Sequence, residues 1–222
     1  MAHGAYRWSA SFNNTGIIYQ VFVKYYPLTE GYLDYDFIIH LFKGFNRLSK
    51  KVQFSVDKKA PVREPRSDTK VIKEIRAIVQ SQFYKTKQSQ EPHIVVAGID
   101  EDGMGYEHRL NQLLQKLHGI PSYYYLLFVP VRVIEAWALY LITPELENNT
   151  LESKSKQVLS QMLGISGSAK ERGEKIIEML KSKDCFNQKS LCLLTEKSAS
   201  FRHFKNKVEE LVQYHSTFPA NQ

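Results

Sequence analysis

The sequence predicts an α/β fold, a parallel or mixed sheet flanked by helices, with an α-helical C-terminal extension. Three observations carry this. Apolar, β-branched runs alternate with segments of helical periodicity as far as Val133. One of those runs, His93 to Ile99, is almost wholly apolar, as a strand covered on both faces must be. From Ile134 onward only helical patterns recur. The 222 residues suit one to two domains, read as an N-terminal tail (1–15), an α/β core (16–145) and a helical extension packed on it (146–222).

Residues 1–15 carry no clear periodicity and read as a tail or a poorly specified edge. Gly16 to Tyr26, rich in Ile, Val, Phe and Tyr, reads as a strand stopped by Pro27. Ile38, Leu41, Phe42, Phe45 and Leu48 recur at steps of three and four, which predicts a helix. Lys51 to Val56 suits a short strand, and Asp57 to Asp68, with Pro61 and Pro65, an exposed loop. Ile72, Ile75, Val79 and Phe83 then line one face of a second helix. After the apolar strand, Asp100-Glu101-Asp102-Gly103 forms a turn, and Leu110, Leu113, Leu114 and Leu117 mark a third helix, broken by Gly119 and Pro121. Tyr123 to Val133 reads as a further strand, followed by helices near 134–142, 154–163, 170–182 and 199–214.

The composition, 43% hydrophobic and 24% charged, is that of a folded protein. No apolar run approaches the roughly 18–20 residues that span a bilayer, and no charged start precedes an apolar block, so a soluble cytoplasmic protein is expected. Cys185 and Cys192 lack the partners and spacing of a disulfide framework or a zinc site. The net charge of +7 is uneven: Lys43 to Lys87 holds 13 Lys and Arg against 4 Asp and Glu. A basic segment on a near-neutral body suits a polyanion surface, because cations displace counterions from phosphates. Lys50, Lys51, Lys58, Lys59, Arg63 and Arg66 are therefore the candidate nucleic-acid contacts. A solvated basic face is the other reading.

The sharpest local feature is Asp100 to Gly103, directly after the buried strand. In extended backbone, residues two apart point to the same side, so Asp100 and Asp102 can present two carboxylates at a strand's carboxyl end, where open α/β sheets place ligands. Oxygen ligands without His or Cys suit Mg²⁺ or Mn²⁺. The same residues also read as a polar turn in which Asp102 caps the next helix. Glu30-Gly31 follows the first strand, with Asp34 and Asp36 in the first turn of a helix, where the dipole favours acids. Glu135 lies among Val133, Ile134, Ala136, Trp137 and Leu139, so it either pairs with a cation such as Arg132 or serves a site.

A Glu-Gly-x-x-Asp after the first strand (Glu30 to Asp34) and an apolar strand ending in Asp-x-Asp-Gly (Asp100 to Gly103) resemble the Toprim fold, the metal-binding domain of topoisomerases, primases and OLD-type nucleases. Pro130 to Leu139 and Ser200 to Phe204 are similar to segments of a small stand-alone bacterial branch suspected of a role in phage defence. The resemblance covers about residues 20–212. It implies Glu30 as general acid/base or metal-shell carboxylate, Asp100 and Asp102 as metal ligands, Glu135 as a further acid, and Mg²⁺ or Mn²⁺ as cofactor. It also implies a nuclease acting on DNA or RNA, with a protein partner in a defence assembly and no membrane. Unlike the family pattern, Pro27, Leu28 and Thr29 separate the predicted strand end from Glu30.

Other chemistries lack their residues. No Gly-Lys-Ser/Thr follows the glycines at 98, 103 and 105, and neither a Gly-x-Ser-x-Gly elbow nor a His-Glu-x-x-His helix occurs. Tyr123, Tyr124 and Tyr125 cannot form one stacking platform on a strand, whose successive side chains point to opposite faces. The alternative to a nuclease is a non-catalytic Toprim-like module that binds nucleic acid or protein in a defence or replication assembly.

Overall fold

A strand buried on both faces needs hydrogen-bonded neighbours on both edges. In the computed structural model of the chain, β4 (His93–Gly98) has them, with β2 (Gly16–Leu28) on one side and β5 (Tyr125–Phe128) on the other, both parallel to it. The structure describes residues 8–13, 16–49, 51–57, 66–89, 91–145, 154–164 and 167–217. β3 (Val52–Val56) runs parallel to β2. β1 (Trp8–Asn13), in a stretch that reads as a tail or edge, is a strand antiparallel to the amino half of β2.

β2 pairs with β3 through Val21 to Tyr25 and with β4 through Lys24 to Leu28. The overlap at Lys24 and Tyr25 puts β3 and β4 on opposite edges of β2, so the parallel strands run β3-β2-β4-β5. The chain moves outward from β2 to β3 and then crosses to the other side for β4. The point of reversal lies between β2 and β4, and α/β sheets bind ligands outside the carboxyl ends of strands at such a point.

Pro27 does not stop β2. Val21 donates its N–H to Lys51 and Lys24 donates to Pro92, so odd residues of β2 face β3 and even residues face β4. Pro27 is odd, and β3 has ended opposite Tyr25, so the N–H that proline lacks would have had no partner strand. The strand therefore continues to Leu28, and Glu30 stands two residues beyond its end. The apolar run near Tyr123 divides into a 3₁₀ turn (Ser122–Tyr124) and the four-residue β5.

Alternation along the strands sorts the core into two layers. Val21, Val23 and Tyr25 of β2, Ile94 and Val96 of β4, and Leu126 and Phe128 of β5 face α1 (Tyr32–Leu48), α4 (Ile134–Ile142) and the C-terminal helices. Those are α5 (Ser155–Met162), α6 (Ala169–Ser182), α7 (Gln188–Lys197) and α8 (Ala199–Thr217), which give Leu159, Ile176, Leu191 and Phe204 to the same core. Tyr26, Leu28, Val95, Ala97 and Leu127 face α2 (Asp68–Ser89) and α3 (Tyr106–Lys116). The fold is thus α/β with an α-helical C-terminal extension. α7 has no forecast in the sequence because it buries only Leu191 and Leu194; Asn187 caps it by accepting the Ser190 N–H at 3.0 Å. Among the described residues no helix is long and apolar enough to cross a membrane.

Gly98 and Phe128 are paired neighbours, and a Cβ on Gly98 would lie 2.1–2.4 Å from the Phe128 ring. Gly98→Ala is expected to cost about 1–3 kcal/mol, seen as a lower urea midpoint at unchanged slope and largely recovered by adding Phe128→Leu. An unchanged midpoint for the single variant contradicts this packing.

Candidate functional site

The carboxyl ends of β2 and β4 each deliver an acid to the reversal point. Glu30 follows β2 through Thr29, and Asp100 follows β4 through Ile99. The Asp100 N–H donates to Glu30 Oε1 at 2.9 Å, joining the two strand ends. The Ile134 N–H, at the start of α4, donates to Asp100 Oδ1 at 3.1 Å, and the next residue, Glu135, occupies the first turn of that helix. A third chain end is thereby tied to the same point.

Asp34 is the fourth acid. Gly31 is the N-cap of α1, and the Asp34 carboxylate turns back toward the backbone N–H groups of Gly31 and of Asp34 itself, which favour its charged form. A Cβ on Gly31 would lie 2.6 Å from Asp34 Oδ2, so this close return needs glycine. It leaves Asp34 only 8% exposed. Glu30, Asp34, Asp100 and Glu135 line one cavity of about 270 Å³, together with the cations Arg66, Lys156 and Arg172.

Burial and mutual repulsion dominate the electrostatics. Burial, with the charges of Asp68 and Asp102 adding to it, pushes Glu30 up to about 6. Burial, then the charges of Glu135 and Glu30, push Asp34 up to about 7. Asp100 is raised well above the usual carboxylate range by burial and by Asp34, Glu30 and Glu135. Glu135 is raised chiefly by burial, against the pull of Lys156 and Arg172.

Arg109 of α3 braces the floor. Its side chain is 3% exposed, its Nε donates to the Asp100 carbonyl at 2.9 Å, and its Nη2 donates to Asp68 at 3.0 Å while lying 3.8 Å from Glu30 Oε1. Two backbone turns are cross-tied beside it by Glu101, whose carboxylate accepts the N–H groups of Gly105 at 2.6 Å, Gly103 at 3.1 Å and Arg132 at 3.2 Å. Burial acts to raise the Glu101 carboxyl, but these donors outweigh it and hold the group below its usual range.

Asp102 is placed differently from its three companions. Its φ of 49° turns the chain into the left-handed region, so the rule for extended backbone does not hold and its side chain leaves the side taken by Asp100. It is exposed and lines a neighbouring cavity with Arg132. It caps no helix: Gly105 is the N-cap of α3, and the carboxylate that accepts the Gly105 N–H is that of Glu101. Arg132 lies 3.9 Å from Glu101 and is not the cation beside Glu135.

The basic segment divides. Lys51 is exposed at the amino end of β3, away from the carboxyl-end acids. Arg66 lines the acidic cavity, donates its N–H to the Glu30 carbonyl at 2.8 Å and its Nη1 to Glu74 at 2.6 Å, and is 11% exposed. Lys50, Lys58, Lys59 and Arg63 lie outside the described residues. Tyr123 stacks on Tyr214 with ring centres 4.3 Å apart, and Arg202 binds the carbonyls of Thr195 and Glu196 near the end of α7.

Sequence reasoning did not select Asp34, Arg109, Lys156 or Arg172 as site residues. Asp34 had a signal in the Glu-Gly-x-x-Asp spacing, and Arg109 in being a cation beside Leu110 at the inner face of its helix. Lys156 and Arg172 had none. The oxygen donors of the cavity are of the type a hard divalent cation takes, and they repel one another, a repulsion such a cation relieves. Among the described residues no three His, Cys, Asp or Glu side chains are already spaced to hold an ion. Mg²⁺ binds through as few as one or two carboxylates and completes its shell with water and phosphate, so the donor set fits it. No family model matches the chain, and no curated protein or solved structure matches it.

A carboxyl raised in the folded state favours folding most below its unfolded value, near 4, and that contribution is lost as pH rises through the folded value. Relative to the natural chain, Asp34→Asn is thus expected to gain thermal stability between about pH 5 and about pH 8, by several degrees in the melting midpoint. A gap that does not widen contradicts the buried charge. Arg109→Met leaves the Asp100 carbonyl and Asp68 Oδ2 without their Arg109 donor and is expected to cost about 2–4 kcal/mol in chemical unfolding; a loss below about 1 kcal/mol would show that it braces nothing.

Proposed function

We propose that the chain is a divalent-metal-dependent phosphodiesterase acting on nucleic acid, built on a Toprim-like core. The observation that carries this is the convergence of Glu30, Asp34, Asp100 and Glu135 in one cavity at the reversal point of the sheet. The resemblance at Glu30 to Asp34 and at Asp100 to Gly103 supports the same reading, since the two motifs end adjacent strands.

Asp34, Asp100 and Glu135 would hold Mg²⁺ or Mn²⁺, with Glu30 beside them, and the ion would supply a lower pKa for an attacking water and offset charge on the phosphate. Glu30, raised to about 6, can take and return a proton near neutral pH. Its Oε1 is occupied by the Asp100 N–H, which leaves Oε2 for the proton. Water attacks phosphorus, the bond to the leaving oxygen breaks, and the proton taken from water is available for return to that oxygen. Arg172 and Lys156, at the cavity wall, face the charge of the phosphate.

The test is cleavage of mixed DNA and RNA with Mg²⁺ or Mn²⁺ by the natural chain and single variants. Asp100→Asn and Glu135→Gln are expected to lose about a hundredfold or more in rate, and Asp102→Asn, outside the cavity, about tenfold at most. Undiminished cutting by Asp100→Asn contradicts the assignment. A non-catalytic nucleic-acid or protein-binding module is the second reading, favoured by the engagement of Asp100 Oδ1 with the Ile134 N–H. It predicts salt-sensitive binding, unchanged in these variants, and no cutting by any of them.

A further inference from the structure

We infer that phosphates beside the scissile one are held in a second, cationic cavity built by Arg132, at the turn between β5 and α4, and by Lys154 and Lys156 at the start of α5. This rests on the nucleic-acid substrate proposed above and assigns its path. The cavity measures about 380 Å³ and is lined by Asp102, Arg132, Lys154, Ser155, Lys156 and Gln157, three cations against one carboxylate. Lys156 also lines the acidic cavity, so the two adjoin at that side chain. A phosphodiester polymer laid across the acids carries a neighbouring phosphate on either side of the bond to be cut, and it gains most where cations await that neighbour.

The backbone keeps Arg132 in place. It has a φ of 66°, and it faces Asp102, itself at 49°, through the Asp102 N–H donating to the Arg132 carbonyl at 3.3 Å. Glu101 accepts the Arg132 N–H at 3.2 Å. A non-glycine residue holds such a conformation where its surroundings impose it. The Arg132 side chain remains 51% exposed, Lys154 and Lys156 are exposed, and among the described residues no ion pair engages either lysine. The acids and these cations share one end of the sheet, whereas Lys51 lies at the other.

The test is fluorescence anisotropy with fluorescein-labelled single-stranded and duplex DNA over a salt series without divalent metal. Arg132→Gln/Lys154→Gln is expected to bind about tenfold more weakly, with the slope of log affinity against log salt reduced by about 1–2. Lys51→Gln is expected to stay within about twofold of the natural chain. Melting curves check that the double variant is folded, and the exposed Lys154→Gln alone carries the test if it is not. Unchanged affinity and slope in the double variant, a larger loss in Lys51→Gln, or no binding by the natural chain at low salt would each overturn the assignment. The hydrolase reading fails separately: if no chain cuts but binding falls in the double variant, the path stands and the hydrolysis does not.

Discussion

The hydrogen bond from the Asp100 N–H to Glu30 Oε1 exists because β2 and β4, far apart in sequence, are adjacent strands, and the candidate site depends on that adjacency. The crossing from β3 to β4 brings two strand ends together and opens the crevice that every other site residue enters. α1 starts there with Gly31 and Asp34, and α4 starts there with Ile134 and Glu135. Remove the pairing of β2 with β4 and the four acids belong to unrelated parts of the molecule.

Keeping four carboxylates in one small cavity is costly, and the surroundings offset only part of the cost. Backbone N–H groups serve Asp34, Asp100 and Glu30, and Arg109 lies 3.8 Å from Glu30. The helical extension adds Lys156, brought in as α5 packs on α4, and Arg172, brought in as α6 packs on α1. That approach is close at Gly173, where a Cβ would lie 3.4 Å from Leu33. The extension is therefore part of the site's wall. All four acids still stand above their usual range, chiefly through burial and then through the charges of neighbouring carboxylates.

Much of the fold was legible because local rules were left to act alone. The apolar run at His93 to Ile99 and the three-and-four spacing from Ile38 to Phe45 each encode burial on known faces, and the strand and helix follow. Pro27 misled because its cost depends on which edge of β2 it faces and where β3 ends, both tertiary facts. Asp100 and Glu30 were legible as strand-end acids, but Asp102 needed a backbone angle that spacing cannot supply. Asp34 is visible in the Glu-Gly-x-x-Asp spacing, but an acid in the first turn of a helix is equally accounted for by the helix dipole. The basic segment was legible as charge but not as location: Arg66 reaches the acids while Lys51 stands at the opposite edge. Lys156 and Arg172 reach the cavity only through the packing of α5 and α6, which leaves no local mark.

The proposed function requires that these acids take up a divalent cation as one group. Calorimetric titration of the chain with Mn²⁺ near pH 6.5, in two buffers of different ionisation enthalpy, reads this out, because a metal that binds raised carboxyls must expel their protons. Binding with release of about one proton or more per ion, abolished in Asp100→Asn, is the expected result. Absence of binding, or binding that releases no protons and persists in Asp100→Asn, would contradict it.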